Sequence, residues 1–149
     1  MRWLLLDSIV AIEKGKKAHT RSRIFRNGVT PELLMMEAMA QTGGLLLGAE
    51  HDFANNLIFA KIEKASFGGR YEMQTVLDIQ AVSDQLKPEG AWIDASIQQQ
   101  GNEIAAARFL LMNAGPLVPG KNKSITFHDA FMQHFSVRAK VRASAPQQA

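Results

Sequence analysis

Hydrophobic positions divide the chain into short alternating runs around one long apolar stretch. Trp3 to Glu13 is rich in Leu, Ile and Val and stops at the turn signal Lys14-Gly15-Lys16, after which Lys17 to Ile24 alternates weakly, so a hairpin is predicted. Val29-Thr30-Pro31 then opens a helix, with Thr30 suited to the N-cap and Pro31 to the first helical position. That helix is predicted to run to about Leu47, with Gly48 as its C-cap. It is apolar nearly all the way round, as in a helix buried on every face. Gly43-Gly44 weakens its helix propensity, which implies tight packing of sheet or ligand against that turn.

Four strand-like runs follow, at Leu57–Phe67, Thr75–Leu86, Trp92–Gln99 and Ile104–Met112. The third alternates cleanly, with Ile93, Ala95 and Ile97 on one face and Asp94, Ser96 and Gln98 on the other. Lys87-Pro88-Glu89-Gly90 and Gln100-Gly101-Asn102 supply turns, and Gly115-Pro116 and Pro119-Gly120 break structure afterwards. Phe127, Phe131 and Phe135 place a short amphipathic helix between Thr126 and Arg138, ahead of a disordered end from Ala143. Two strands, one long apolar helix and four meandering antiparallel strands make an α+β domain whose sheet wraps a central helix. The domain is expected to occupy residues 1–115, with 116–149 as a C-terminal extension.

Composition narrows the function. At 149 residues and 46 % apolar content, one domain with a real core is expected. There is no cysteine, so disulfides, thiolate chemistry and Cys-type zinc sites are excluded. No apolar run reaches the roughly 20 residues that span a bilayer. The apolar patch at the start is too short for a signal peptide, so a cytoplasmic location is expected. The net charge of +3 is concentrated near the C-terminus, at Lys121, Lys123, Arg138, Lys140 and Arg142. That excess lacks the dense basic stripe with aromatic interleaving of a nucleic-acid footprint; it reads first as a solvated tail, although an acidic protein partner or an anionic cofactor could use such a rim for steering. No phosphate loop, nucleotide fingerprint or metal-ligand spacing is present.

The chemically telling residue is Glu37, a single carboxylate in the middle of the apolar helix. Buried there, it must be paired, hydrogen-bonded or protonated. Gln41 lies one turn later on the same face, so the two polar groups can share one pocket. Met35, Met36 and Met39 beside them read as core filler.

Glu37-Ala38-Met39-Ala40-Gln41, led in by Val29-Thr30-Pro31, resembles the active-site helix of the β-hydroxyacyl-acyl carrier protein dehydratases, which have the hotdog fold. Leu5-Leu6-Asp7 with Gly15-Lys16-Lys17-Ala18 is similar to that family's first hairpin, and Phe59 to Phe67 to the strand after its helix. The similarity covers roughly Trp3 to Met112. The resemblance implies a homodimer, or a higher even oligomer, whose sheets join edge to edge. Its substrate would be a 3-hydroxyacyl thioester of acyl carrier protein or coenzyme A, dehydrated to a trans-2-enoyl thioester in fatty-acid or related acyl-chain synthesis. Glu37 would be catalytic, Gln41 would hold it, and the backbone N–H of Glu32 would polarise the thioester carbonyl. Phe59 and Phe67 would border the acyl tunnel. No metal or cofactor is implied beyond the phosphopantetheine arm that the substrate brings.

The chemistry suits those groups. A helix N-terminus offers a preorganised donor to a developing oxyanion, and a carboxyl in apolar surroundings can hold a proton at neutral pH. Histidine is the natural partner for the other proton transfer. The family keeps that histidine in a His-Phe-Pro-Gly-like loop before the helix. Here Arg23-Ile24-Phe25-Arg26-Asn27-Gly28 runs almost directly into the helix and contains none. His19 falls on the second strand, so the role is not transferred to it, and His51, His128 and His134 are weaker candidates still. Tyr71-Glu72-Met73-Gln74 also stands where the family favours a Pro-Gly-Asp turn. Two other readings therefore remain open. One is hydrolysis of acyl thioesters, which needs a carboxylate and a positioned water. The other is a non-catalytic acyl-binding subunit that pairs with an active relative.

Overall fold

A computed structural model describes residues 4–24, 28–72, 74–115 and 127–143. Strands β1 (Ser8–Glu13) and β2 (Lys17–Ser22) form the predicted hairpin, and α1 (Pro31–Glu50) follows. Four further strands come next: β3 (Asn56–Phe67), β4 (Leu77–Lys87), β5 (Gly90–Gln99) and β6 (Asn102–Gly115). Two short helices, α2 (Asp129–His134) and α3 (Val137–Lys140), lead to β7 (Val141–Arg142). Among the described residues the seven strands belong to one sheet, in the order β3-β6-β5-β4-β2-β1-β7. Neighbouring strands are antiparallel except β7, which runs parallel to β1.

The expected α+β arrangement is present: the sheet's inner face carries α1. Leu34, Met39, Leu45, Leu46 and Leu47 are almost fully buried, and Thr42 is the helix's one fully buried polar side chain. Its hydroxyl donates to the Ala38 carbonyl at 2.8 Å, so the Thr20 hydroxyl on β2, also 2.8 Å away, must be the donor to Thr42. Opposite the helix, Ala18, Ala81, Ala95 and Ala107 lie side by side on β2, β4, β5 and β6. All four are buried, and such a strip of methyl groups leaves room for a helix without a polar face. A Cβ on Gly43 would lie 3.0 Å from Ile93 Cγ2 and 3.2 Å from the Phe109 ring, so sheet packing accounts for that glycine.

Several local expectations are corrected. Thr30 occupies the N-cap with Pro31 after it, but its side chain makes no capping hydrogen bond. Gly48 does not end α1, which continues to Glu50 with His51 as its C-cap. The glycine is needed for space instead, because a Cβ there would sit 2.5 Å from Phe127 Cζ and 3.0 Å from Phe53 Cδ1. Only β4, β5 and β6 form a meander; β3 crosses to the far edge and pairs with β6. The C-terminal helix is broken at Ser136, whose φ of 48° is left-handed. Most of the disordered end expected from Ala143, the Pro116 and Pro119 breaks, Lys121 and Lys123 lie outside the described residues.

The pairing of edge strand β3 with β6 has three register shifts, one between Asn56 and Leu57 and two within β3, between Phe59 and Lys61 and between Ile62 and Lys64. Each of the latter two inserts an extra residue into β3. Phe59, Ile62, Ala65 and Phe67 consequently all stand opposite the buried residues Leu111, Phe109, Ala107 and Ala105 and share the inner face. Phe59 is nevertheless 41 % exposed, Ile62 46 % and Phe67 38 %. On the outer face Arg108 pairs with Glu63, Asp84 and Asp94 across neighbouring strands.

Candidate active site

Glu37 and Gln41 lie one turn apart on α1, on the side facing the segment that precedes β1. The Leu5 N–H donates to Gln41 Oε1 at 3.0 Å, and Gln41 Nε2 donates to Glu37 Oε1 at 3.1 Å. The backbone bond fixes which end of the amide faces the carboxylate. Burial pushes the Glu37 carboxyl above its ordinary value, and the Gln41 hydrogen bond pulls partly against that rise. Glu37 can therefore carry a proton more readily than an exposed glutamate.

The carboxyl opens into a cavity of ≈ 500 Å³. Ala40 and Gly44 of α1 form its floor, and Leu57, Phe59 and Leu111 form the sheet-side wall. Phe59 stacks on the buried Phe109 ring with centroids 5.2 Å apart. The third wall comes from the chain's C-terminal part: Phe127, His128, Phe131, His134 and Phe135. Phe127 meets Phe53 edge-on at 5.2 Å, and Phe131 lies 5.0 Å from Phe135. Val137 is fully buried, and β7 pairs with β1 through Ile12 and Val141, so the segment is held after α2 by these residues and before it by Phe127.

Of the residues singled out from sequence, Glu37, Gln41 and Phe59 meet in this cavity. Glu32 is exposed in the first turn of α1 and does not line it. It precedes Glu37 by roughly 7 Å along the helix axis at 1.5 Å per residue. Phe67 shares the inner face with Phe59 but lies farther along β3, also outside the lining.

The histidines sort in an unexpected way. His19 faces outward and hydrogen-bonds Asp78 Oδ1 at 2.8 Å, beside Arg21. Burial alone would raise the Asp78 carboxyl, but those two partners outweigh it and bring the carboxyl below its ordinary value. His51 contacts Asn113 beyond the other end of α1. His128 and His134, given little weight from sequence, are the two that reach the Glu37 cavity. The signal for them was the Phe127, Phe131, Phe135 spacing, which marks a helix with an apolar face but not the surface it covers.

Among the described residues, no group of three or more His, Cys, Asp or Glu side chains is placed to hold a metal ion. No helix among them is long and apolar enough to cross a membrane.

No protein-family model matches the chain, and no curated protein sequence does. Solved structures do match. The dehydratase heterocomplex ApeI:P from Xenorhabdus doucetiae aligns at TM-score 0.65 and 16 % identity, over 75 % of this chain and 84 % of that one. The smu.793 protein of Streptococcus mutans, bound to acetyl CoA, aligns at TM-score 0.63 and 13 % identity, over 78 % and 94 %. A hypothetical thioesterase of Streptococcus pneumoniae with coenzyme A aligns at TM-score 0.60 and 12 % identity, over 73 % and 86 %. At such identities the likeness speaks to architecture, and the sheet wrapped around one long helix has the hotdog fold.

Proposed function

We propose that this protein is a dehydratase that removes water from 3-hydroxyacyl thioesters, carried by acyl carrier protein or coenzyme A, to give trans-2-enoyl thioesters in cytoplasmic acyl-chain synthesis. The observation that carries this reading is Glu37, a carboxyl driven toward its protonated form and oriented by Gln41 at the mouth of an apolar cavity. A departing hydroxide needs such an acid. The acyl chain would lie along Phe59, Leu57 and Leu111, and Phe67 would extend that apolar surface beyond the cavity. The Glu32 N–H at the start of α1 would polarise the thioester carbonyl. No cofactor is needed for this elimination.

The exposed inner-face side chains of β3 support assembly through that edge. A long unpaired edge strand bearing Phe59, Ile62 and Phe67 invites a second copy to continue the sheet and cover them. A second reading, a non-catalytic subunit that pairs through β3 with a histidine-bearing relative, is favoured by the absence of histidine between His19 and α1. One of the structures similar to this chain is itself a heterocomplex.

The test is hydration of a trans-2-enoyl thioester by the purified chain, followed by loss of enoyl absorbance and by product mass. Wild-type turnover, with a fall of roughly 10²-fold or more in Glu37→Gln, is the expected result. Release of free thiol instead would identify hydrolysis. No turnover by a folded, self-associated chain would favour the non-catalytic subunit.

A further inference from the structure

We propose that His134, carried by α2, is the second acid–base group of this cavity and acts with Glu37 of the same chain. The inference rests on the dehydratase reading. Elimination of water needs a base for the proton on C2 and an acid for the hydroxyl on C3, and one carboxyl cannot act in both roles at once. The lead-in to α1 supplies no histidine, but the C-terminal wall brings two into the Glu37 cavity.

The two are not equivalent. His128 is the N-cap of α2, and its Nδ1 accepts the Phe131 N–H at 3.1 Å. The neutral ring then carries its proton on Nε2, so His128 can donate a hydrogen bond but has no nitrogen left to accept a proton. His134 makes no such commitment: among the described residues its marked contact is an edge-on approach to Phe135 at 4.7 Å, which leaves its nitrogens available. Its wall is a built one. Phe127 is seated over Gly48, Phe135 is 7 % exposed, Val137 is fully buried, and β7 is hydrogen-bonded into the sheet.

In the step itself, the neutral His134 imidazole takes the C2 proton, and the C2–H electron pair becomes the C2=C3 double bond. The C3–O bond breaks, and the Glu37 carboxylic acid gives its proton to the leaving oxygen, which departs as water. Imidazolium and carboxylate remain, and transfer of the proton from the first to the second restores the starting state.

The experiment measures kcat and KM for trans-2-enoyl thioester hydration by the full chain as wild type, His134→Ala, His134→Gln and, as a control, His19→Gln. The His134 variants should lose roughly 10²-fold or more in kcat with KM little changed. They should melt like the wild type, and added imidazole should restore part of the His134→Ala rate. His19→Gln should behave as wild type. Retained kcat in the His134 variants, or a loss that imidazole does not restore, overturns the assignment while leaving the dehydratase reading in place. Absence of turnover in the wild type overturns both.

Discussion

Gly44 and Gly48 lie one turn apart on α1, yet a methyl group should have opposite effects at the two positions. At Gly44 the nearest atom to an added Cβ is Leu57 Cδ1 at 3.7 Å, an ordinary contact. Replacing a helical glycine with alanine stabilises by about 1 kcal/mol when space allows. At Gly48 the same Cβ would meet Phe127 Cζ at 2.5 Å, Phe127 Cε2 at 2.6 Å and Phe53 Cδ1 at 3.0 Å. Carbon atoms rest at about 3.5–4.0 Å, so the Phe127 ring must retreat by about 1 Å. Phe127 and Phe53 are only 6 % and 5 % exposed, so the retreat disturbs a packed site. Overpacking of that kind costs about 1–3 kcal/mol, and part of an edge-on ring pair worth about 0.5–1.5 kcal/mol goes with it.

Against the propensity gain of about 1 kcal/mol, Gly48→Ala should be net destabilising by about 1–2 kcal/mol. Gly44→Ala should stabilise by up to about 1 kcal/mol. At roughly 2–4 °C per kcal/mol for a chain of this size, the two variants should melt about 5–10 °C apart, with the wild type between them. Calorimetric melts of the three proteins test this. Coincident melts, or a Gly48→Ala melt above wild type, would refute the seating of Phe127 on α1 and with it the C-terminal wall of the cavity.

Glu37 makes a pH prediction. Its carboxyl is higher in the folded state than in the unfolded chain, so the native state holds that proton more tightly. The associated stabilisation is fully present below the unfolded value and is lost as pH rises through the folded one. Glu37→Gln removes this titration, so its stability relative to wild type should grow as pH increases above 4.5, the carboxyl's ordinary value. Urea unfolding across that range reads the difference, and a pH-independent gap would contradict it. At the buried threonine pair, Thr42→Val should cost about 1–3 kcal/mol by stranding the Thr20 hydroxyl, whereas Thr20→Val with Thr42→Val should recover much of it. A double-variant loss equal to the sum of the two single losses would show that the pair is not coupled.

What the sequence revealed follows from how local each feature is. Helix α1 was legible because its apolar run is long, with few polar positions, and Thr30-Pro31 marks its start. Ile93, Ala95 and Ile97 were legible because alternation is a property of one strand. Gly48 was misread because a glycine late in an apolar run looks the same whether it ends a helix or admits a distant ring. Position in the sheet was hidden for a related reason: Leu57 to Phe67 reads as a strand, but nothing within it says that β6 and not β4 is its neighbour. Its two bulges, which put Ile62 and Phe67 on one face, depend on that pairing. Glu37 and Gln41 were recognisable as a pair because four residues along a helix fix their relation. The histidines were not, since His134 comes to line the cavity of Glu37 only through the folding-back of the chain end.

That folding-back ties the two halves of the candidate site together. Desolvation is the leading cause of the raised Glu37 carboxyl, and part of what excludes water from its cavity is the wall formed by Phe127, Phe131 and Phe135. The wall rests on Gly48, three turns along the helix from Glu37 and in no direct relation to it. Displacing Phe127 should therefore hydrate the carboxyl and let it fall back toward its ordinary value, although no group touching it has changed. A carboxyl-carbon NMR titration of Glu37 in Gly48→Ala reads that shift directly. A lower value than in wild type would mean that the C-terminal segment sets the proton affinity of the site as well as closing it. An unchanged value would mean that α1 and the strands desolvate Glu37 by themselves, and the wall would then serve only to hold the substrate.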